Sequence, residues 1–94
     1  MLSENDFKNV KLGRFRLNKE AVLSQEYHSQ VRFIMGSCVI LLAQYIPDVE
    51  AFEYTALSNL FDEISYGNEV PFYSMEIDIV DSEKNEAVLR AVKI

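Results

Sequence analysis

Two carboxylates, Glu76 and Asp78, have a spacing that could do chemistry, because acids two residues apart share one face of a strand. The sequence supplies no histidine, nucleophile or glycine-rich loop beside them. Asp81, Glu83 and Glu86 follow, but their spacing differs from that of an EF-hand, which also needs a central glycine. The pattern therefore favours a solvated strand face and a polar turn over a catalytic or calcium site.

The single histidine and the single cysteine limit the remaining chemistry. His28 alone builds no zinc site and, with Ser24 or Ser29, no convincing triad. Cys38 has no partner for an internal disulfide, and it lies in an apolar run where cysteine behaves as a small hydrophobe. We therefore predict a non-enzymatic protein without cofactor or metal, working in the reducing cytoplasm.

The segment 8–19 offers a second kind of site, because its charges are all positive. It contains Lys8, Lys11, Arg14, Arg16 and Lys19. The two arginines could hold phosphates while bases stack on Phe15, which gives nucleic-acid binding as an alternative function. A structural interpretation is that strand 10–17 pairs with strand 72–80 and buries Phe15. The two arginines would then face Glu76 and Asp78 across the strands.

The net charge of −6 is unevenly distributed, because eleven of the fifteen acids lie within residues 48–86. A field of this sign repels nucleic acid and suits basic partners. We predict that five acids form a partner-binding surface: Glu53, Asp62, Glu63, Glu76 and Asp78. A further alternative is a phage-type inhibitor whose acids mimic DNA phosphates.

The elements that must position these residues are dominated by the apolar run Val31–Ile46, which Pro47 ends. We predict that it belongs to one long helix over residues 19–46, capped by Asn18. A helix without a wet face must be covered from more than one side, which predicts self-association. Small residues recur every seven positions on it, and the predicted oligomer interface is Ser29, Phe33, Gly36, Val39, Ile40 and Ala43.

The same run is too short to cross a membrane. Sixteen helical residues span ~24 Å, whereas the hydrocarbon core is ~30 Å thick. The beginning of the chain, with acids before bases and no apolar segment, is not typical of a secretory signal. We therefore expect no membrane partner.

The predicted fold is α+β, in the order β-α-α-β-β, within a single globular domain 1–94. A helical turn over 4–9 precedes strand 10–17, and a second, shorter helix runs from Asp48 towards Gly67. A hairpin of strands 72–80 and 87–94 completes a small, mostly antiparallel sheet packed on the long central helix.

We accordingly predict a small acidic protein-binding module that self-associates through its long helix and acts by occupying or inhibiting a protein partner. Besides the nucleic-acid and DNA-mimic alternatives, a small enzyme or small-molecule binder would place a pocket between helix and sheet. Ligand carried through purification would favour that last alternative.

Overall fold

The protein is described by a computed structural model over residues 9–65, 67–81, 83–84 and 86–94, with Asn9 described for its backbone alone. Its strands are β1 (Asn9–Val10), β2 (Leu12–Asn18), β3 (Val39–Ile46), β4 (Ala51–Leu57), β5 (Ile64–Ser65), β6 (Phe72–Asp81) and β7 (Glu86–Lys93). Its helices are α1 (Lys19–Leu23) and α2 (His28–Gly36), with 3-10 turns at Gln25–Tyr27 and Pro47–Val49. The predicted turn over 4–9 lies outside the described residues except for Asn9, which belongs to β1.

Five strands form one mixed sheet in the order β3-β4-β2-β6-β7. Neighbouring strands run antiparallel, except that β2 and β6 are parallel. β1 and β5 form a separate antiparallel pair. The long excursion between β2 and β6 inserts α1, α2 and the β3–β4 hairpin, which is why the sheet gains two strands on the β2 side.

The predicted long central helix is wrong, and so is the fold class built on it, because the protein is mostly sheet. Helix α2 ends at Gly36, where the Ser37 hydroxyl donates to the Ile34 carbonyl at 2.6 Å. Val39–Ile46 continues as a strand. A continuous apolar run has no periodicity to separate a buried helix from a strand, and its β-branched and aromatic residues favour the strand. Asn18 does cap a helix as predicted, accepting from the Glu20 amide at 2.8 Å, but that helix is the short α1.

The predicted second helix is also wrong. The segment after Pro47 makes a tight turn, in which Glu50 takes a left-handed conformation with φ 49°, and then returns as β4. Phe52 and Tyr54 alternate with the polar Glu53 and Thr55 along this segment, and such alternation is typical of a strand. The predicted strands at 10–17 and 72–80 and the returning strand at 87–94 are confirmed, with shifts of a residue or two at their ends.

The core lies on one face of the sheet. Phe15, fully buried on β2, contacts Tyr54 on β4 and Phe61 in the following loop, with ring centroids 5.3 and 6.5 Å apart. Phe61 stacks on Tyr73 of β6 at 4.6 Å, and Ile34 of α2 joins the same cluster. The prediction that Phe15 belongs to the core is confirmed. The central strands are thereby fixed, while β3 and β7 form the two edges.

Candidate interaction surface

The carboxylates first considered for chemistry lie in solvated surroundings. Asp78 is exposed and forms an ion pair with Arg90, in which Asp78 Oδ2 lies 3.0 Å from Arg90 Nε. Asp81 Oδ1 accepts from the backbone amides of Glu83 and Lys84 at 3.0 and 3.3 Å, so it closes the β6–β7 turn. Over the described parts of the chain, no three histidine, cysteine or acidic side chains gather as a metal site would require.

The histidine and the cysteine are not brought together. His28 is exposed at the start of α2, and Cys38 is half-buried just after its end. The Cys38 thiol donates to the Ile34 carbonyl at 3.4 Å, alongside the Ser37 hydroxyl. The Cys38 thiol and the Ser37 hydroxyl therefore both satisfy a carbonyl at the end of α2.

Arg14 and Arg16 have partners other than those predicted. β6 does neighbour β2, but the strands run parallel with Arg14 opposite Phe72, so the predicted pairs with Glu76 and Asp78 are wrong. Arg14 donates from Nε and Nη2 to the Val70 carbonyl at 3.1 and 2.8 Å, and its guanidinium lies 4.1 Å from the centre of the Phe72 ring. These contacts occupy the arginine that the nucleic-acid interpretation needs, and Lys8 lies outside the described residues.

Glu53 is the partner of Arg16, and it is buried rather than displayed. Only 7% of the residue is exposed, and its two carboxylate oxygens accept from Arg16 Nε and Gln44 Nε2, each at 3.0 Å. Burial opposes ionisation, but these two hydrogen bonds and the charges of Arg16 and Arg14 lower the pKa of Glu53 below its ordinary value. Glu53 thus links β2, β4 and β3, and the expectation that it lies on an exposed partner-binding surface is wrong.

The other predicted partner-binding acids are nearer to solvent. Asp62 and Glu63 are exposed in the loop after the core residue Phe61, and Glu76 is half-buried on β6 beside the exposed Asp78. Asp62 pairs with Lys93 at 3.1 Å, and this carboxylate raises the pKa of the lysine through its hydrogen bond and its charge. The acids therefore flank the β6–β7 side of the sheet.

The predicted oligomer interface does not exist as a helical stripe. Ser29, Phe33 and Gly36 lie on α2, whereas Val39, Ile40 and Ala43 lie on β3. The change from helix to strand at residues 37–38 breaks the seven-residue repeat. A Cβ added to Gly36 would meet no atom of the described residues within 4 Å, so close packing against them does not require a small residue there.

The clearest exposed feature is the β3 edge, by which we mean the side of Val39–Ile46 that faces away from β4. No described strand pairs with it. Four large apolar side chains on β3 are strongly exposed: Val39 (62%), Leu41 (56%), Leu42 (55%) and Tyr45 (41%). They point to both faces of the sheet, because the strand alternates and has a bulge between Ile40 and Leu42.

The opposite edge of the sheet is built differently. β7, EAVLRAVK, carries Glu86, Arg90 and Lys93, whereas β3, VILLAQYI, carries no charge and no proline. Charged residues on an edge strand are the common means of preventing pairing with another chain. The β3 edge lacks this protection. Sequence reasoning missed it, although an eight-residue charge-free segment of high β propensity is a recognisable sign of strand pairing.

Two concavities lie on other parts of the protein surface. One, of about 300 Å³, lies between α2 and the β6–β7 hairpin and is lined by Phe33, Ile77 and Ile79, with Glu86 at its rim. The other, of about 380 Å³, lies beside Arg16, Phe72 and Ile94. Both are shallow and largely apolar, so they suit side chains of a partner better than a reaction.

Among the described residues, no helix is both long enough and apolar enough to cross a bilayer. Comparisons of the chain with protein-family models, with curated proteins and with solved structures found no match.

Proposed function

We propose that this protein is a non-enzymatic protein-binding module that accepts a strand of another chain on its β3 edge. The exposed, charge-free β3 strand is the observation that supports this function. In strand addition, main-chain hydrogen bonds supply affinity, and alternate side chains supply specificity. β3 offers backbone groups with which no described strand pairs along one side, and apolar side chains on both faces, so an added strand would bury Leu42 and Tyr45 from water.

The state of the charged groups also supports binding over catalysis. Arg16 with Glu53, Arg90 with Asp78, and Lys93 with Asp62 are paired within the chain. A general acid or base needs a pKa near the working pH, whereas the pKa of the buried Glu53 is lowered away from that range. The Glu53 carboxylate therefore stabilises the sheet by linking neighbouring strands.

The acidic surface takes a supporting part in this proposal. Asp62, Glu63, Glu76 and Asp78 create a field on the β6–β7 side that attracts a basic partner. Such a field acts more on the rate of association than on affinity. The setting we propose is the cytoplasm, where Cys38 stays a thiol.

A labelled peptide tests strand addition directly. The probe is a fluorescent peptide of residues 39–46 flanked by lysines, and its binding is followed by anisotropy with a scrambled peptide of equal charge as the control. We expect wild type and the V88K variant to bind the ordered peptide, and L42K to bind it at least tenfold more weakly. Leu42 and Val88 are almost equally exposed, 55% and 52%, so V88K controls for the added charge. Equal binding of both peptides, or no effect of L42K, would contradict the proposal.

A further inference from the structure

We propose that the strand accepted by the β3 edge is β3 of a second copy, so that two protomers form a continuous ten-stranded sheet about a two-fold axis. This rests on the proposed function and names the occupant of the β3 edge, while the acidic β6–β7 side stays free for a basic partner. A two-fold axis perpendicular to the sheet makes the two β3 strands antiparallel and keeps the α2 helices of both protomers on the same face.

The chemistry of β3 is self-complementary. In a two-fold interface each surface meets its own copy, so any charge on the strand risks lying near a like charge. Val39–Ile46 contains none, and its exposed Leu41, Leu42 and Tyr45 would contact apolar side chains of the second copy. Apolar side chains would therefore be buried on both faces of the joined sheet.

Each chain carries a net charge of −6, so two copies repel each other unless their acids stay apart. Pairing through β3 achieves this separation. In a β3–β3 sheet the two β7 strands lie nine spacings apart, about 43 Å, far beyond a screening length of about 8 Å. The acids of the β6–β7 hairpins are thus held apart. Asp48 and Glu50, in the turn after β3, also separate, because antiparallel pairing sends the two turns to opposite ends of a strand pair about 27 Å long.

Pairing of β3 with β7 of another copy is the competing arrangement. It would set Glu86, Arg90 and Lys93 along an apolar strand that offers them no counter-charge. It would also leave β3 free at one end and β7 free at the other, and such head-to-tail contacts grow into open filaments unless they close into a ring. The symmetric β3 pair avoids both consequences, and a single strand pair predicts a small interface with micromolar affinity.

Sedimentation equilibrium of the full chain over a range of micromolar concentrations tests the proposal. We expect the wild-type mass to rise from 10.8 kDa towards twice that value, and V88K to behave in the same way. L41K and L42K should remain at 10.8 kDa, with circular dichroism spectra equal to that of wild type. Leu41 and Leu42 are more than half exposed, so lysine at either position adds a charge without removing core packing.

Amide hydrogen exchange of the wild-type chain supplies a readout that needs no variant. Protection of β3 amides should rise with protein concentration, while β7 amides stay unchanged. A constant mass of 10.8 kDa at all concentrations, or a dimer in which folded L41K and L42K persist and β3 gains no protection, would overturn the second copy as partner. A monomer that still binds the labelled peptide leaves strand addition standing, whereas a monomer that does not bind it removes both proposals.

Discussion

Arg16 Nε lies 3.0 Å from Oε1 of Glu53, and this ion pair spans β2 and β4 in the interior of the sheet. The Glu53 side chain is 8% exposed and the Arg16 side chain 45%, so the buried acid depends on the arginine in place of water. Gln44 on β3 completes the carboxylate's hydrogen bonds at 3.0 Å. Through Glu53, the edge strand proposed for pairing is connected to the centre of the fold.

The Glu53→Gln variant should lose about 1–3 kcal/mol of unfolding free energy at neutral pH, because Arg16 loses its charged partner and one of the two buried acceptor oxygens becomes a donor nitrogen. The folded pKa of Glu53 is lowered below the unfolded value of ~4.3. Its contribution is therefore present above that pH and disappears as the pH falls through the folded pKa. Urea unfolding from neutrality down to about pH 3 should show the variant and wild type converging. Glu63→Gln, at an exposed position, is the control, and a gap that stays constant with pH would contradict the linkage.

The Gly13→Ala variant should be destabilised by roughly 1–3 kcal/mol through overpacking. A Cβ at this position would lie 2.8 Å from Phe61 Cδ2 and 2.8 Å from Tyr73 Cε2, within the stacked ring pair of the core. Gly36→Ala is the matched control, because its Cβ meets nothing within 4 Å and alanine favours helix by up to about 1 kcal/mol. Urea midpoints that move in the same direction for both variants would show that the close approach at Gly13 is unimportant.

The sequence predicts β6, whose alternation is clear, but misassigns both the uniformly apolar β3 and the alternating β4 to helices. Met75, Ile77 and Ile79 alternate with polar residues, and the strand predicted around them is β6. β3 is apolar at nearly every position, although most of its side chains are exposed. A continuous apolar run then resembles a buried helix, and the prediction of one long helix follows from that ambiguity.

The candidate site could be predicted only in part for a related reason. The predicted oligomer interface includes Val39, Ile40 and Ala43, which the sequence assigns to a helix and which lie on the edge strand β3, and self-association itself stays a prediction. Which acid meets Arg16 depends on strand order. Glu53 comes from β4, which the sequence placed in a helix, so no local pattern identified it as the partner.

The Arg90–Asp78 pair should couple much more weakly than Arg16–Glu53. Both of its side chains are more than half exposed, 59% and 52%, although its distance is also 3.0 Å. Exposed pairs of this kind contribute about 0.2–1 kcal/mol. A double-mutant cycle of R90A and D78A, compared with R16A and E53A by urea unfolding, measures both couplings. Equal coupling energies would show that burial of Glu53 does not strengthen its pair.

The Ser58→Ala variant should lose about 0.5–1.5 kcal/mol of unfolding free energy, because two part-buried backbone groups lose their hydrogen bonds to the hydroxyl. The Ser58 hydroxyl donates to the Ser37 carbonyl at 3.0 Å and accepts from the Leu60 amide at 3.2 Å, and the residue is 8% exposed. It thereby ties the loop after β4 to the residues that lead into β3.

In the Ser58→Ala variant, amide exchange should accelerate more at the start of β3 than in β7. The reason is that the hydrogen bond lost by this variant lies next to β3 and not next to β7. Ser74→Ala, on the exposed side of β6, is the control and should change stability by less than about 0.5 kcal/mol. Uniform acceleration across the sheet would mean that Ser58 acts on global stability alone and does not hold the β3 end in place.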